Sequence, residues 1–337
     1  MNDNVPSVTV VIAARPGQAD IAAVSASRLL DYPADKLEIL VARGKQPSAQ
    51  RNTAIRAARG EWIYFLDDDS VPAASNLRRA VPQFVRPEVK MLGGPNLCPA
   101  EAPELEQVFA LVLSSKVAFG PSRARYAAVG ELRETSEKEL ILCNLLARRD
   151  ALLELGGFNE ALYPNEENAL MDELQKLGGK LLYDPEFVVQ RRPRASLKSF
   201  ARMLMTYGRG RAEQFRLHPG FGSVLNFVPP AFDVYLLCLV AAWILLPVRW
   251  AALCSLPLGC YVLALLAQAL ILVASPGVHQ QPRVGFGKRL LRCLGAVPLM
   301  GLTHILYGAG FWRGLFTSLK GPEQRPNVPV NLETVAR

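Results

Sequence analysis

Two uninterrupted apolar runs constrain this chain more than any other feature. Residues 228–247 and 251–274 are each about 20 residues of mostly Leu, Val and Ala, the length that crosses ~30 Å of hydrocarbon. Only a short turn at Pro247-Val248-Arg249-Trp250 separates them, which predicts a helical hairpin. Residues 294–312 form a weaker third segment, broken by Gly and Pro and carrying His304; a full span and a partial or re-entrant one both suit it. Nearly all the charge lies in residues 1–216, so a pure membrane bundle is excluded. With half of its 337 residues hydrophobic, no glycine period and only 6 Cys, the chain is not disordered, collagen-like or disulfide-stapled. The cysteines form no C-x-x-C pair, so reduced thiols are expected. The expected plan is a catalytic domain over 1–195 and a basic juxtamembrane segment over 196–224. Two or three transmembrane or re-entrant helices follow over 225–316, then a tail over 317–337 that is unstructured after about Gly321.

The first two-thirds alternates strands and helices. Residues 8–14 (VTVVIAA), 37–41 (LEILV), 62–66 (WIYFL) and 89–93 (VKMLG) read as strands, with helices expected over 19–30, 48–58 and 77–84. After a less regular stretch over 98–132, a strand is expected over 139–147 and a short helix over 150–155. A helix capped by Asn165 and running to Leu177 comes next, then a strand over 180–183. This spacing predicts an α/β domain on a mostly parallel sheet, with ligands bound beyond the carboxyl ends of the strands. Asp67-Asp68-Asp69 stands at such an end. Two carboxylates on a sharp turn suit Mg²⁺ or Mn²⁺, which keeps several waters and is completed by substrate phosphates. An acidic turn with no metal role has the same sequence.

The net charge of +8 is also localised. Between Arg191 and Arg216 stand eight Arg or Lys against Glu213 alone, an excess of +7 immediately before the first apolar run. That is where the positive-inside rule places cytoplasmic charge. No stacking platform or DNA-binding motif accompanies it, so nucleic acid is not an expected partner. An anionic membrane surface or a lipid-linked phosphate is. Phe200, Met203, Leu204 and Tyr207 recur at helical spacing among these arginines, which suits a helix lying on the membrane surface. The polar N-terminus lacks a signal peptide, which leaves the first domain in the cytoplasm at the inner (plasma) membrane.

Several runs taken together resemble the family-2 glycosyltransferases, inverting enzymes with the nucleotide-sugar-binding GT-A fold. They are the opening strand 8–14, Ala49-Gln50-Arg51-Asn52, Ala58-Arg59-Gly60-Glu61 and Phe65-Leu66-Asp67-Asp68-Asp69. Asn144 with Arg148-Arg149, Leu155-Gly156-Gly157-Phe158-Asn159-Glu160, Glu166-Glu167 and Tyr183-Asp184-Pro185 extend the likeness over about 1–195. Tyr207-Gly208-Arg209-Gly210-Arg211-Ala212 and Arg216-Leu217-His218-Pro219 resemble the membrane-anchored subgroup that elongates succinoglycan-like polysaccharides.

The resemblance implies metal ligation by Asp69 and Asp67, with Mg²⁺ or Mn²⁺ neutralising the leaving diphosphate. It implies nucleotide-sugar binding at Ala14, Arg15, Arg43, Arg51, Asp67 and Asp68. Gly94 joins these if its backbone meets the substrate; otherwise Gly93-Gly94-Pro95-Asn96 is a plain turn. The attacking hydroxyl needs a carboxylate base. Glu167 is the first candidate and Glu166 the second, at a helix N-terminus whose dipole favours the ionised form. Both acids would also sit there merely to complement the dipole. Two departures stand out. Arg43-Gly44 follows the second strand where the family usually carries a base-reading acid, which frees Arg43 for a phosphate. Arg191-Arg192 stands where many members carry a His. Arg191 cannot ligate a metal, so it and Arg192, Arg209 and Arg211 either pair with a diphosphate or hold the membrane surface.

The expected function is inverting transfer of a sugar from a nucleotide-diphosphate sugar to a hydroxyl of a lipid-linked glycan, in cell-surface polysaccharide synthesis. The alternatives are a polyprenyl-phosphate sugar synthase, whose ionised acceptor needs no base, and a non-catalytic GT-A scaffold at the membrane.

Overall fold

The computed structural model describes residues 5–160, 162, 165–217, 219, 221–274, 285–318 and 329–336. In chain order the first elements are β1 (Val8–Ala14), α1 (Ala22–Ser27), β2 (Leu37–Arg43), α2 (Pro47–Ala57), β3 (Trp62–Asp67), β4 (Val71–Pro72) and α3 (Asn76–Ala80). They continue with β5 (Val89–Gly93), β6 (Asn96–Leu97), α4 (Glu104–Ser114), α5 (Lys116–Phe119), β7 (Arg133–Thr135), β8 (Asn144–Arg148), α6 (Arg149–Glu154), α7 (Glu166–Lys176), β9 (Lys180–Tyr183) and β10 (Val189–Gln190). The last third holds α8 (Leu197–Leu217), α9 (Val228–Leu245), α10 (Val248–Ala274), α11 (Phe286–Phe316) and β11 (Asn331–Val335).

The chain divides into two compact units. One comprises Met1–Pro99, Ala124–Arg192 and Lys320–Arg337; the other comprises Ala100–Arg123 and Pro193–Leu319. The first is built on an eight-stranded sheet in the order β11-β2-β1-β3-β8-β5-β9-β7, with a small three-stranded sheet β4-β10-β6. Strand β1 pairs in parallel with both β2 and β3, so Ala14, Arg43 and Asp67 end side by side on one edge of the sheet. Strand β8 enters antiparallel between β3 and β5, which makes the sheet mixed.

The β-branched runs are continuous because both sheet faces are covered. Val10, Ile12, Val41, Tyr64 and Leu66 face one core. Val11, Leu40, Ile63 and Phe65 face the other, which α2, α6 and α7 close with Ile55, Leu152 and Leu174.

The structure corrects several sequence expectations. The helix expected over 19–30 is only α1, six residues long. The helix expected over 77–84 stops at Ala80 and resumes as a separate 3₁₀ turn over Gln83–Val85, because Pro82 has no N–H to continue the ladder. The strand expected over 139–147 is β8 alone. The stretch 98–132 contains α4, which is buried on nearly every face and so shows no apolar stripe. The tail is not unstructured throughout: β11 pairs antiparallel with β2, Asn331 opposite Arg43 and Val335 opposite Ile39.

The second unit is helical. Three of its helices, Val224–Leu245, Val248–Leu272 and Phe286–Phe316, are long and apolar enough to cross a membrane. The third apolar segment is therefore one helix of 31 residues, continuous through Pro298. Helix α8 does not present its apolar face outward as a surface helix would. Phe200 and Leu204 are fully buried, and Phe200 stacks on Phe109 of α4 with ring centroids 4.2 Å apart. Helices α8 and α11 meet backbone to backbone. A Cβ added at Gly208 would fall 2.0 Å from the Tyr307 carbonyl oxygen, and one at Gly310 would fall 2.2 Å from that of Met205.

Candidate active site

At the carboxyl end of β3, acidic and basic side chains alternate in one chain: Glu166, Arg51, Asp67, Arg191, Asp69. Arg51 projects from α2, whose start is set by Pro47 and by the Gln46 side chain accepting from the Ala49 N–H. Its guanidinium reaches Asp67 Oδ1 at 3.1 Å and Glu166 Oε1 at 3.4 Å. Asp67 Oδ2 lies 3.0 Å from Arg191 Nη1, and Arg191 Nε donates to Asp69 Oδ1. Strand β10 delivers Arg191, whose N–H is held by the Leu97 carbonyl. Burial alone would lower the Arg191 pKa, but Asp67, Cys143 and Asp69 hold it well above the usual arginine value. It is a fixed cation.

The two acids of α7 are not equivalent. Glu166 is 3% exposed, and its Oε2 has no hydrogen-bond partner among the described residues. Burial raises its carboxyl to about 7, with Glu167 adding to the rise and Arg51 opposing it. Desolvation thus outweighs the helix dipole that was expected to keep it ionised. Glu167 is half-buried and accepts a 3.4 Å hydrogen bond from Asn168 Nδ2. The sequence reading put Glu167 first; the structure links Glu166 to the aspartates. Asn165 does not cap α7 with its side chain. It adopts φ 94°, and its Oδ1 accepts from Asn168 Nδ2.

The remaining expected residues fall into different places. Ala14 is buried, and its carbonyl accepts from the Gly44 N–H and from Gln50 Nε2, which also binds the Ala42 carbonyl. Arg15 is exposed beside it. Arg43 already has partners: its Nε pairs with Glu333 Oε2 of β11 at 3.0 Å, and its Nη1 donates to the Gln18 carbonyl. Asp68 turns away from Asp67 and Asp69 to accept from Gln18 Nε2 at 2.7 Å. Gly94 packs tightly on backbone: a Cβ there would lie 2.0 Å from the Phe187 carbonyl oxygen. Arg192 is exposed. Arg209 and Arg211 belong to the helical unit, where they pair along α8 with Glu213 and Gln214.

Sequence reasoning missed Gln18 and Glu333, which no local pattern marks. It also missed the division of labour in Arg51-Asn52. Arg51 carries charge, while Asn52 clamps the loop after α6 by bonding the Phe158 N–H and carbonyl.

The aspartate pair fits a hard divalent cation. Asp67 and Asp69 already direct one oxygen each at a single positive group. Among the described residues no group of three His, Cys, Asp or Glu comes together. Two carboxylates alone suffice only for an ion completed by water and substrate phosphates, as Mg²⁺ and Mn²⁺ are.

Three relatives share this architecture or sequence. The succinoglycan biosynthesis protein ExoA of Rhizobium meliloti is 31% identical over 216 residues, covering 62% of this chain and 56% of its own length. The pre-mycofactocin glycosyltransferase of Mycobacterium tuberculosis is 25% identical over 175 residues, 52% of this chain and 36% of its own. The chain thus spans about half or less of the curated relatives it matches. The solved mannosyltransferase PcManGT from Pyrobaculum calidifontis, in complex with GDP-Man and Mn²⁺, superposes with a TM-score of 0.58 at 18% identity. The match covers 93% of this chain and 88% of that one, and shows a shared GT-A fold. Residues 26–98 match the family model for glycosyl transferase family 2.

Proposed function

We propose that the protein transfers a sugar from a nucleoside-diphosphate sugar to a hydroxyl of a lipid-linked glycan, with inversion, while anchored in the inner membrane with its sheet unit on the cytoplasmic side. The observation that carries this reading is the charge chain from Glu166 to Asp69 at the carboxyl ends of parallel strands. The family 2 match and the likeness to a succinoglycan biosynthesis protein support it.

Asp67 and Asp69 would hold a divalent cation, Mg²⁺ or Mn²⁺, which would neutralise charge on the departing diphosphate. Arg191 lies between the same two carboxylates and offers a fixed guanidinium to phosphate oxygens. Glu166 takes the proton of the attacking hydroxyl as its oxygen bonds to the anomeric carbon and the bond to the diphosphate breaks. A carboxyl raised to about 7 suits that work near neutral pH. Arg51 holds Glu166 and Asp67 in one geometry, so base and metal site keep their spacing.

The full chain, purified in detergent, would be given a panel of nucleoside-diphosphate sugars with Mg²⁺ or Mn²⁺ and lipid-linked acceptors. One donor should be consumed, with the anomeric configuration inverted in the product. Retained configuration, or turnover untouched by Glu166→Gln, would refute the mechanism; the latter would favour a phosphate acceptor, which needs no base.

A further inference from the structure

We propose that α11 does not cross the membrane but lies in its interface, on the side of the sheet unit, so that α9 and α10 alone traverse the bilayer. This rests on the membrane-anchored reading above and decides which of three candidate helices carry it.

The first argument is one of parity. The chain leaves the sheet unit after Arg192 and is back in it at β11. There Asn331–Val335 hydrogen-bonds to β2, Glu333 pairs with Arg43, and Arg28 Nε donates to the Ala336 carbonyl. One folded sheet stays on one side of a membrane, so the chain between Arg192 and β11 crosses an even number of times. Three full crossings are excluded. Helices α9 and α10 are joined by a single tight turn, so a crossing by one is reversed by the other. The odd helix is α11.

The second argument comes from what α11 packs on. The segment Ala100–Arg123 departs from the sheet unit and returns to it, and its helices of 11 and 4 residues are too short to span. Helix α11 is tied to this segment at three points. Arg292 grips the Glu104 carboxylate at 2.6 and 2.9 Å, Met300 contacts the Ser115 hydroxyl, and His304 Nε2 lies 3.1 Å from the Val117 carbonyl. Further along, α11 lies on α8, which carries Lys198, Arg202, Arg209, Arg211, Glu213 and Arg216. Gly314 meets the backbone of Arg209, and Arg216 donates to the carbonyls of Gly314 and Thr317. From Arg292 to Thr317, roughly 38 Å at about 1.5 Å per residue, α11 is pinned to charged or short segments. Burying them costs about 2.5–3.5 kcal/mol per central charge.

The third is the pattern on α11 itself. Leu291, Leu294, Ile305, Trp312 and Phe316 are exposed and fall on one stripe at helical period, while Ala296, Met300, Thr303 and Phe311 are buried on the opposite side. The occupant of that stripe is the boundary between lipid headgroups and acyl chains, continuous with the spans α9 and α10 that α11 also touches.

The test adds one cysteine at a time to the full chain, Lys45→Cys, Arg249→Cys, Gly287→Cys and Ser318→Cys, and reads the gain over the native cysteines with an impermeant maleimide in sealed vesicles of each orientation. Lys45 is exposed in the sheet unit, Arg249 is exposed at the start of α10 just after the turn, a Cβ at Gly287 meets nothing within 4 Å, and Ser318 is exposed just beyond α11. The proposal expects Gly287→Cys and Ser318→Cys, one at each end of α11, both to gain label from the Lys45 side, with that gain lost from the Arg249 side. Label at Gly287→Cys and Ser318→Cys from opposite sides overturns it, because α11 must then cross. Label at Lys45→Cys and Arg249→Cys from one and the same side overturns the anchored reading beneath it.

Discussion

Replacing Glu166 by Gln should make the protein more stable and far less active, and the stability gain should depend on pH. Its carboxyl stands at about 7 against an ordinary 4.5, with burial as the main cause. A folded-state pKa above the unfolded one means the folded protein holds the proton more tightly. The stability that comes with protonation is fully present below pH 4.5 and is lost as pH rises through about 7. Above that, the ionised carboxylate costs up to about 3 kcal/mol. Gln has the same shape, keeps an oxygen for Arg51 and never ionises. Near pH 8 the variant should therefore gain up to about 3 kcal/mol, a rise of roughly 6–12 °C in Tm for a unit of this size. Near pH 4.5 the two proteins should melt together. Tryptophan fluorescence on the detergent-purified chain, scanned from pH 4.5 to 8.5, reads this directly, while transfer should fall about 10²–10⁴-fold. A stability difference that does not change with pH would show that Glu166 is ionised throughout, and the argument for it as a base near neutrality would fail.

Three further outcomes are expected. Asp69→Asn should cut transfer by about 100-fold or more with little change in Tm, and EDTA should silence the wild type until Mn²⁺ or Mg²⁺ is restored; activity indifferent to chelator would remove the metal assignment. Gly94→Ala should cost about 1–3 kcal/mol, because its Cβ would stand 2.0 Å from the Phe187 carbonyl oxygen and the backbone must shift; an unchanged Tm would mean the loop yields freely. Glu333→Ala should cost under about 1 kcal/mol, since the pair with Arg43 is half in solvent, whereas deleting residues 329–337 should cost more and promote aggregation; equal effects would show that β11 contributes only its charge.

The elements legible in the sequence were those whose physics is local. Strands β1, β2, β3 and β5 announce themselves because burial on both faces selects continuous β-branched and aromatic runs, and Asp67 and Asp69 because they end one. Helix α8 was legible as amphipathic but not for what covers it. The same period suits a lipid surface or a neighbouring helix, and only the bare backbones of Gly208, Gly310 and Gly314 reveal that α11 is the partner. Strand β11, with one short run of mixed polarity, reads as tail until its pairing partner is known. The ranking of Glu166 over Glu167 depends on which way α7 turns its first residue, which adjacency in sequence does not specify.

The pairing of β11 with β2 also sets a clock on folding. Arg43 and Glu333 are 290 residues apart in the chain. At about 5–20 residues per second of synthesis, roughly 15–60 s pass between the making of β2 and of the strand that covers it. During that interval the outer edge of β2 offers unpaired N–H and C=O groups to any extended chain nearby. Synthesis of α9 and α10 falls within the same interval. The nascent protein thus depends on how its exposed edge is guarded while it waits for residues made after its helices.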